Sequence, residues 1–273
     1  MTADSERAEG ETAASRPTEF VQSLERGLAV MRSFDAAHPS LTLSEVARAT
    51  GLSRAAARRF LHTLVELGYV AYDDREFSLR PQVLELGYAY LSSLSLPSLA
   101  EPHLKTLASA AGESASVAVL DGEEIVYVAR VATYRIMAAA IVVGTRFPAY
   151  ATSMGRAIIG GGPVEKQEEY LARVRLERLT PRTVATVERL RDELNLVRTQ
   201  GWALVDQELE EGLRSIAAPL RDSSGRVVGA VNVSAPVRRG DVGDIVRELL
   251  PAVRATARAI EDDLRQTGPL VGS

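Results

Sequence analysis

The 273-residue chain has no cysteine, and that single absence removes disulfides, thiolate metal sites and cysteine nucleophiles together. Histidine is nearly as scarce: His38, His62 and His103 are the only three, and none falls at a metal-ligand spacing or beside a carboxylate in a catalytic pattern. There is no Gly-x-Ser-x-Gly elbow and no Walker loop; Gly160-Gly161-Gly162-Pro163 follows a helical stretch and reads as its terminator. The expectation is a protein that is not an enzyme and needs no cofactor. No apolar run is long enough to cross a bilayer, and MTADSERAEGETAAS is polar and acidic with none of the apolar stretch a signal peptide carries. A cytoplasmic protein with no membrane partner is expected. Positive charge is also in short supply: the net charge is −4, which as an average argues against nucleic acid, since phosphate binding is driven by Lys and Arg.

What is present changes that last inference. At 46% hydrophobic and 25% charged residues the chain can bury cores, and its length fits two domains. The charge is unevenly spread, with one base and four acids up to Ser15, nine bases and eight acids over 16–81, and twenty-two bases and twenty-four acids beyond. The deciding signal is therefore local, and it lies in LTLSEVARATGLSRAAARRFLHTLVELG, from Leu41 to Gly68. Thr42 or Ser44 can N-cap a first helix whose apolar face is Leu43, Val46 and Ala47; Gly51 permits a tight turn, Ser53 caps a second helix, and Gly68 ends it.

At 100° per residue the second helix gathers Ala56, Ala57, Phe60, Leu61, Leu64 and Leu67 on one side and Arg54, Ala55, Arg58, Arg59 and His62 on the other. No acid interrupts Ser53 to Val65, and Ala55 beside the arginines allows close approach to a major-groove floor. A solvated amphipathic helix would share this pattern, but its flanks favour recognition. YVAYDDREFSL is a strand, a turn at Asp73-Asp74-Arg75 and a second strand, a wing with Arg75 aimed at a backbone phosphate. Upstream, Leu24, Leu28, Met31 and Phe34 stand at helical spacing, a further helix to complete a three-helix core; Ser23 and Arg26 on it join the DNA-binding set. A winged helix used for protein contacts would carry an apolar outer face, and these arginines are the wrong residues for one.

VQSLERGLAVMRSF, LSEVARATGLSRAAARRFLHTLVELGYV and the wing resemble the N-terminal domain of the IclR family of regulators. RIMAAAIVVGTRFPAYATSMGRAIIG and GWALVDQELEEGLRSIAAPLRDSSGRVVGAVNVSAP are similar to the two signature stretches of that family's effector domain, so the resemblance spans roughly residues 20–265. SRAAARRFLHTLVELGYV, VLELGYAYLSSLSLPSLAEPHL and VGTRFPAYATSMGRA look most like the regulators of protocatechuate and 4-hydroxybenzoate catabolism in the β-ketoadipate pathway. The resemblance implies a double-stranded DNA operator, a small organic acid effector (protocatechuate, 4-hydroxybenzoate or β-ketoadipate) and a homodimer that can pair into a tetramer.

Read from the residues alone, the C-terminal half agrees in outline. Val83, Leu84, Leu86, Gly87, Tyr90, Leu91 and Leu94 form a helix too apolar for a solvated linker, to be covered by its own domain or by a second copy. SASVAVLDGEEIVYVARVA gives two strands joined at Asp121-Gly122, RIMAAAIVV a third, PAYATSMGRAIIG a loop entering a helix and VERLRDELNLVRTQ a helix ended by Gly201. Ser215 to Pro219 is a strand, VVGAVNVSAP another, and a final helix runs from about Val242 to Leu264. The fold class is mixed α+β: an N-terminal winged helix-turn-helix, a linker helix and a C-terminal GAF-like effector domain around an antiparallel sheet. The expected division is a disordered tail (1–17), the DNA-binding domain (18–81), a linker and dimerisation helix (82–97), the effector domain (98–266) and a tail (267–273).

Asn232 and Ser234, two apart on one strand, face the same side, and with Ser215 they can converge on a cavity. Along the signature stretches the resemblance places effector contacts on Val205 or Asp206, Leu213, Ser215, Asn232 and Ser234, and on Ile136, Ala139, Phe147 and the Ser153-Met154 pair at a helix start, where exposed amides favour a carboxylate. Arg135 and Arg146 are candidate carboxylate partners; Met154 and Phe147 as core, and Ser153 as a mere N-cap, are the plainer readings. The acidic run Asp206, Glu208, Glu210 and Glu211 reads as a solvated turn rather than a divalent-cation site.

Overall fold

A computed structural model describes residues 19–87, 95–133 and 141–266. The chain divides near residue 88 into two compact units. The first contains α1 (Gln22–Arg32), β1 (Ser40–Thr42), α2 (Leu43–Thr50), α3 (Arg54–Glu66), β2 (Val70–Asp73) and β3 (Glu76–Leu79). Thr42, not Ser44, caps α2: its hydroxyl accepts from the Glu45 amide while the Glu45 carboxylate accepts from the Thr42 amide. Gly51, at φ +66°, then takes the left-handed conformation that turns α2 into α3, and the Ser53 hydroxyl accepts from the Ala56 amide at 3.2 Å. The strands form an antiparallel sheet in the order β1-β3-β2, with Asp74 at φ +52° in the β2–β3 hairpin.

Val30, Phe34, Leu41, Val46, Ala57, Leu61, Leu64, Val70 and Phe77 make the core of this unit. Two sequence expectations fail here. Leu24 and Leu28 are exposed, because α1 is rotated to turn Gly27, Val30 and Phe34 inward, with Gly27 lying close against Phe60. Leu67 is exposed as well, since it caps α3 beyond the last turn that touches the core.

The second unit holds α4 (Ser95–Ala111), β4 (Ser114–Asp121), β5 (Glu124–Val131), β6 (Arg146–Pro148), a 3-10 turn at Ala149–Ala151, α5 (Ser153–Gly161), α6 (Val164–Arg173), α7 (Val187–Gln200), β7 (Ala203–Asp206), β8 (Leu213–Arg221), β9 (Val227–Pro236) and α8 (Val242–Gln266). Its six strands are antiparallel in the order β6-β5-β4-β9-β8-β7. Alternation of side chains gives the sheet two covered faces. On one, Val117, Ile216, Val231 and Val233 pack against α4 and α8 through Leu104, Leu107, Leu249, Val253 and Ile260. On the other, Ala118, Tyr127, Ala217 and Ala230 meet α5, which Leu190 and Leu194 of α7 cover in turn.

The third strand expected from RIMAAAIVV is not formed by its described part. Ile141–Val143 lies outside any strand, and Gly144, at φ +91°, turns the chain so that Arg146–Pro148 pairs with β5 instead. Residues 134–140 lie outside the described residues. The glycine run ends α5 as expected, with Gly162 as the C-cap, and Gly160 and Gly161 form the last turn of the helix. A Cβ on Gly160 would stand 2.7 Å from the Leu194 carbonyl, so its glycine lets α5 and α7 approach backbone to backbone.

Candidate DNA-reading face and ligand cavity

Ser53, Arg54, Ala55, Arg58, Arg59 and His62 are all exposed along one side of α3, opposite buried Ala57, Leu61 and Leu64. Among the described residues no ion pair engages Arg54, Arg58, Arg59 or Arg75, whereas Arg146, Arg156, Arg182, Arg191 and Arg214 of the sheet unit all meet carboxylates. The outer face of α3 therefore presents positive charge without ionic partners among the described residues although the chain is acidic overall, which is the requirement for phosphate binding. Arg75 is exposed at the tip of the hairpin wing, and the His62 ring stands near Tyr72 and Phe77 at the wing's base. Ser23 and Arg26 line a cleft of about 350 Å³ between α1 and α3, together with Arg59. All nine expected DNA contacts thus lie on the α3 side chains, the adjoining α1 cleft or the wing tip.

In the sheet unit, Ser153, Met154, Val205, Leu213, Ser215, Asn232 and Ser234 line one cavity, and Tyr127, Ile141, Ala151, Thr152 and Leu209 complete its described wall. Register brings the polar ones together: Ser234 is paired with Ser215 on one side and Ser114 on the other, and Asn232 with Ser116. Asn232 donates from Nδ2 to Ser234 Oγ at 3.1 Å, but among the described residues its buried Oδ1 has no partner, and neither has the buried Ser153 Oγ. Ser153 does not cap α5; Thr152 does, accepting from the Gly155 amide at 3.0 Å, which leaves the Ser153 hydroxyl for the cavity. Buried polar atoms of this kind ordinarily find a partner. Burial also pushes the Tyr127 phenol up to about 12, against an opposing pull from the Arg130 charge, so it stays a neutral hydroxyl. The open space between these side chains is only about 20 Å³, room for little more than one water.

The other expected contacts fall elsewhere. Val205 faces the cavity, but Asp206, next along β7, turns away and accepts from Arg214 Nε at 2.7 Å and Arg182 Nη1 at 2.8 Å. Phe147 is not among the cavity's lining residues; its ring packs edge-on against that of Tyr127, with centroids 5.9 Å apart. Ile136, Ala139 and Arg135 lie outside the described residues. Arg146 is no free carboxylate partner: it is exposed and donates to Glu124 and Asp121, each at 2.7 Å, and both contacts hold its guanidinium above the ordinary value. Nor is the 206–211 run a solvated turn throughout, because Glu208 is buried in a bidentate pair with Arg156. Tyr127, Ile141, Ala151, Thr152 and Leu209 were not anticipated from sequence, since a neutral residue declares its cavity role only once strands and loops are assembled.

A helix bearing unpaired arginines beside a hairpin wing, carried on the same chain as a sheet unit with a polar-walled cavity, is the make-up of a DNA-binding transcriptional regulator. The chain belongs to the IclR family: residues 23–74 match the IclR helix-turn-helix domain and residues 88–262 the bacterial transcriptional regulator IclR C-terminal domain. It is 44% identical over 241 residues to the Pca regulon regulatory protein of Pseudomonas putida, covering 88% of this chain and 83% of that one. Among solved structures it resembles a transcriptional-regulator structure from Rhodococcus sp. RHA1 (TM-score 0.82, 54% identity, 91% of this chain and 100% of that one). It also resembles an IclR homologue of Microbacterium hydrocarbonoxydans complexed with 4-hydroxybenzoate (TM-score 0.78, 27% identity, 89% and 99%).

Proposed function

We propose that this protein regulates genes of aromatic-acid catabolism in the protocatechuate branch of the β-ketoadipate pathway, with a small carboxylate as its effector. The observation that carries the effector half is the pair of orphaned atoms, Ser153 Oγ and Asn232 Oδ1, buried at one cavity beside the start of α5. A hydroxylated organic acid has the donors and acceptors to satisfy both: Asn232 Oδ1 accepts from a hydroxyl and the Ser153 hydroxyl donates to or accepts from a ligand oxygen. The likeness to a Pca regulon regulator and to a 4-hydroxybenzoate complex supports the same class of ligand. Since about 20 Å³ cannot hold an aromatic acid, binding must spread the cavity wall. Linkage between that change and the geometry of paired recognition helices would alter operator affinity.

Promoter fragments from neighbouring catabolic genes, titrated by fluorescence anisotropy, are expected to bind specifically at moderate salt. Protocatechuate, 4-hydroxybenzoate or β-ketoadipate should change that affinity or the transcription it controls. If all three leave both untouched, the pathway assignment is wrong. The working unit we propose is a homodimer in the cytoplasm. Support comes from exposed apolar side chains on the DNA-binding unit, Leu24 and Leu28 on α1 and Leu84 and Leu86 in the helical stretch 83–87. Sedimentation of a Leu84→Glu, Leu86→Glu variant should show a weakened dimer; an unchanged one would mean that the dimer forms elsewhere.

A further inference from the structure

Arg130, near the end of β5, is a half-buried arginine that no carboxylate neutralises among the described residues. Its Nη1 donates to Ser116 Oγ at 3.2 Å, while its buried Nε has no partner among the described residues. Register fixes where this group stands. Arg130 pairs with Ser116, and Ser116 with Asn232, so the three occupy one row across the sheet, in which Asn232 lines the cavity and Arg130 and Ser116 stand next along the row outside its lining. Val117 and Val131 belong to the α4–α8 face of the sheet, which leaves Ser116 and Arg130 on the face of α5. Burial alone holds the Arg130 guanidinium below its ordinary value, with the nearby Tyr127 phenol as the one group that opposes the shift.

A charge in this position is costly to leave unpaired. The two buried arginines of this unit have acids, Arg156 with Glu208 and Arg214 with Asp206, and the half-buried Arg221 and Arg254 donate to backbone carbonyls instead. Arg130 has only a hydroxyl, and it keeps unused the Nε–Nη2 edge, the fork that meets a carboxylate with two parallel hydrogen bonds.

Building on the effector reading above, we infer that Arg130 is the specificity-determining residue that receives the effector's carboxylate on its Nε–Nη2 edge. Asn232 Oδ1, which can only accept, is left for a hydroxyl at the other end of the ligand. The effector must then be an anion: a neutral molecule of the same shape would leave the guanidinium desolvated and unmatched.

The test is calorimetric titration of the full-length protein with 4-hydroxybenzoate and with 4-hydroxybenzamide, its uncharged isostere. The wild type should prefer the acid by at least about tenfold, the magnitude expected for one charge-assisted pair. In Arg130→Gln, which can still reach Ser116, acid affinity should fall to the level of the amide, whereas Arg130→Lys should retain part of the preference. Melting curves and operator binding without ligand report whether each variant is folded. If Arg130→Gln fails to fold, the decision passes to Arg130→Lys, where loss of all preference or none at all would overturn the inference. A wild type that binds neither compound nor protocatechuate removes the effector reading itself, and the role of Arg130 with it. A wild type that prefers the acid while Arg130→Gln prefers it equally keeps the effector reading and refutes Arg130 as the anchor.

Discussion

Arg58→Ala combined with Arg59→Ala is expected to weaken specific operator binding by at least about 30-fold while leaving the protein folded and responsive to ligand. Both side chains are exposed on α3 and neither has an ionic partner among the described residues, so their removal opens no cavity and strands no buried charge. Contacts to bases or phosphates are worth about 1–3 kcal/mol each, which puts the double variant roughly 30-fold to more than 10⁴-fold weaker. The salt dependence separates the two kinds of contact. If both arginines neutralise phosphates, the slope of log affinity against log salt should flatten by about 1.8; if they read bases, the slope should hold and discrimination between sequences should collapse. Operator binding at wild-type strength would mean that α3 is not the recognition helix.

The second large effect is expected far from DNA, at Arg156. The residue is 1% exposed, donates from Nε to the Tyr150 carbonyl at 2.8 Å and grips Glu208 with both Nη atoms at 2.8 and 2.6 Å. Glu208 in turn accepts from the Val184 amide at 2.9 Å, and its carbonyl accepts from the Thr183 hydroxyl at 2.6 Å. The pair therefore ties α5 to the turn after β7 and to the segment before α7. Arg156→Met leaves a buried carboxylate without its cation and should cost about 3–5 kcal/mol. For a domain of this size that corresponds to a drop of about 6–20 °C in Tm, measurable by scanning calorimetry. Glu208→Leu should cost a similar amount, and the double variant less than the two together, because it buries no lone charge. Leu209, adjacent to Glu208, lines the cavity, so the single variants should also bind effector more weakly. Additive losses would show that the pair is not an energetic unit.

The DNA-binding unit was legible because its signals are short-range. Ser53, Gly51 and the basic face of α3 act within a turn or two of their own position, and the structure places each as its local chemistry requires. The misreadings at Leu24 and Leu28 concern which of two adjacent faces of α1 packs inward, a choice made by Phe60 and the other elements, and the one at Leu67 concerns where α3 stops touching the core. In the sheet unit, strand parity was enough to bring Asn232, Ser234 and Ser215 to one side. Parity did not separate Val205 from Asp206, which differ only in the face they take once β7 pairs with β8. Arg146 and Glu208 look alike in sequence, as charges in loops or strand ends, yet one is on the surface and the other is buried in an ion pair.

Local signals alone were enough for the regulator class, the basic exposed face of α3, its Ser53 cap and the polar parity of β9, because each depends on short stretches of chain. The tertiary structure alone decided which polar atoms are left without partners and which arginines are neutralised. Those properties belong to pairs such as Arg156 and Glu208, or to rows such as Arg130, Ser116 and Asn232, whose members are far apart in the chain. Burial and Coulomb energy depend on distance in space, and the folded sheet sets that distance.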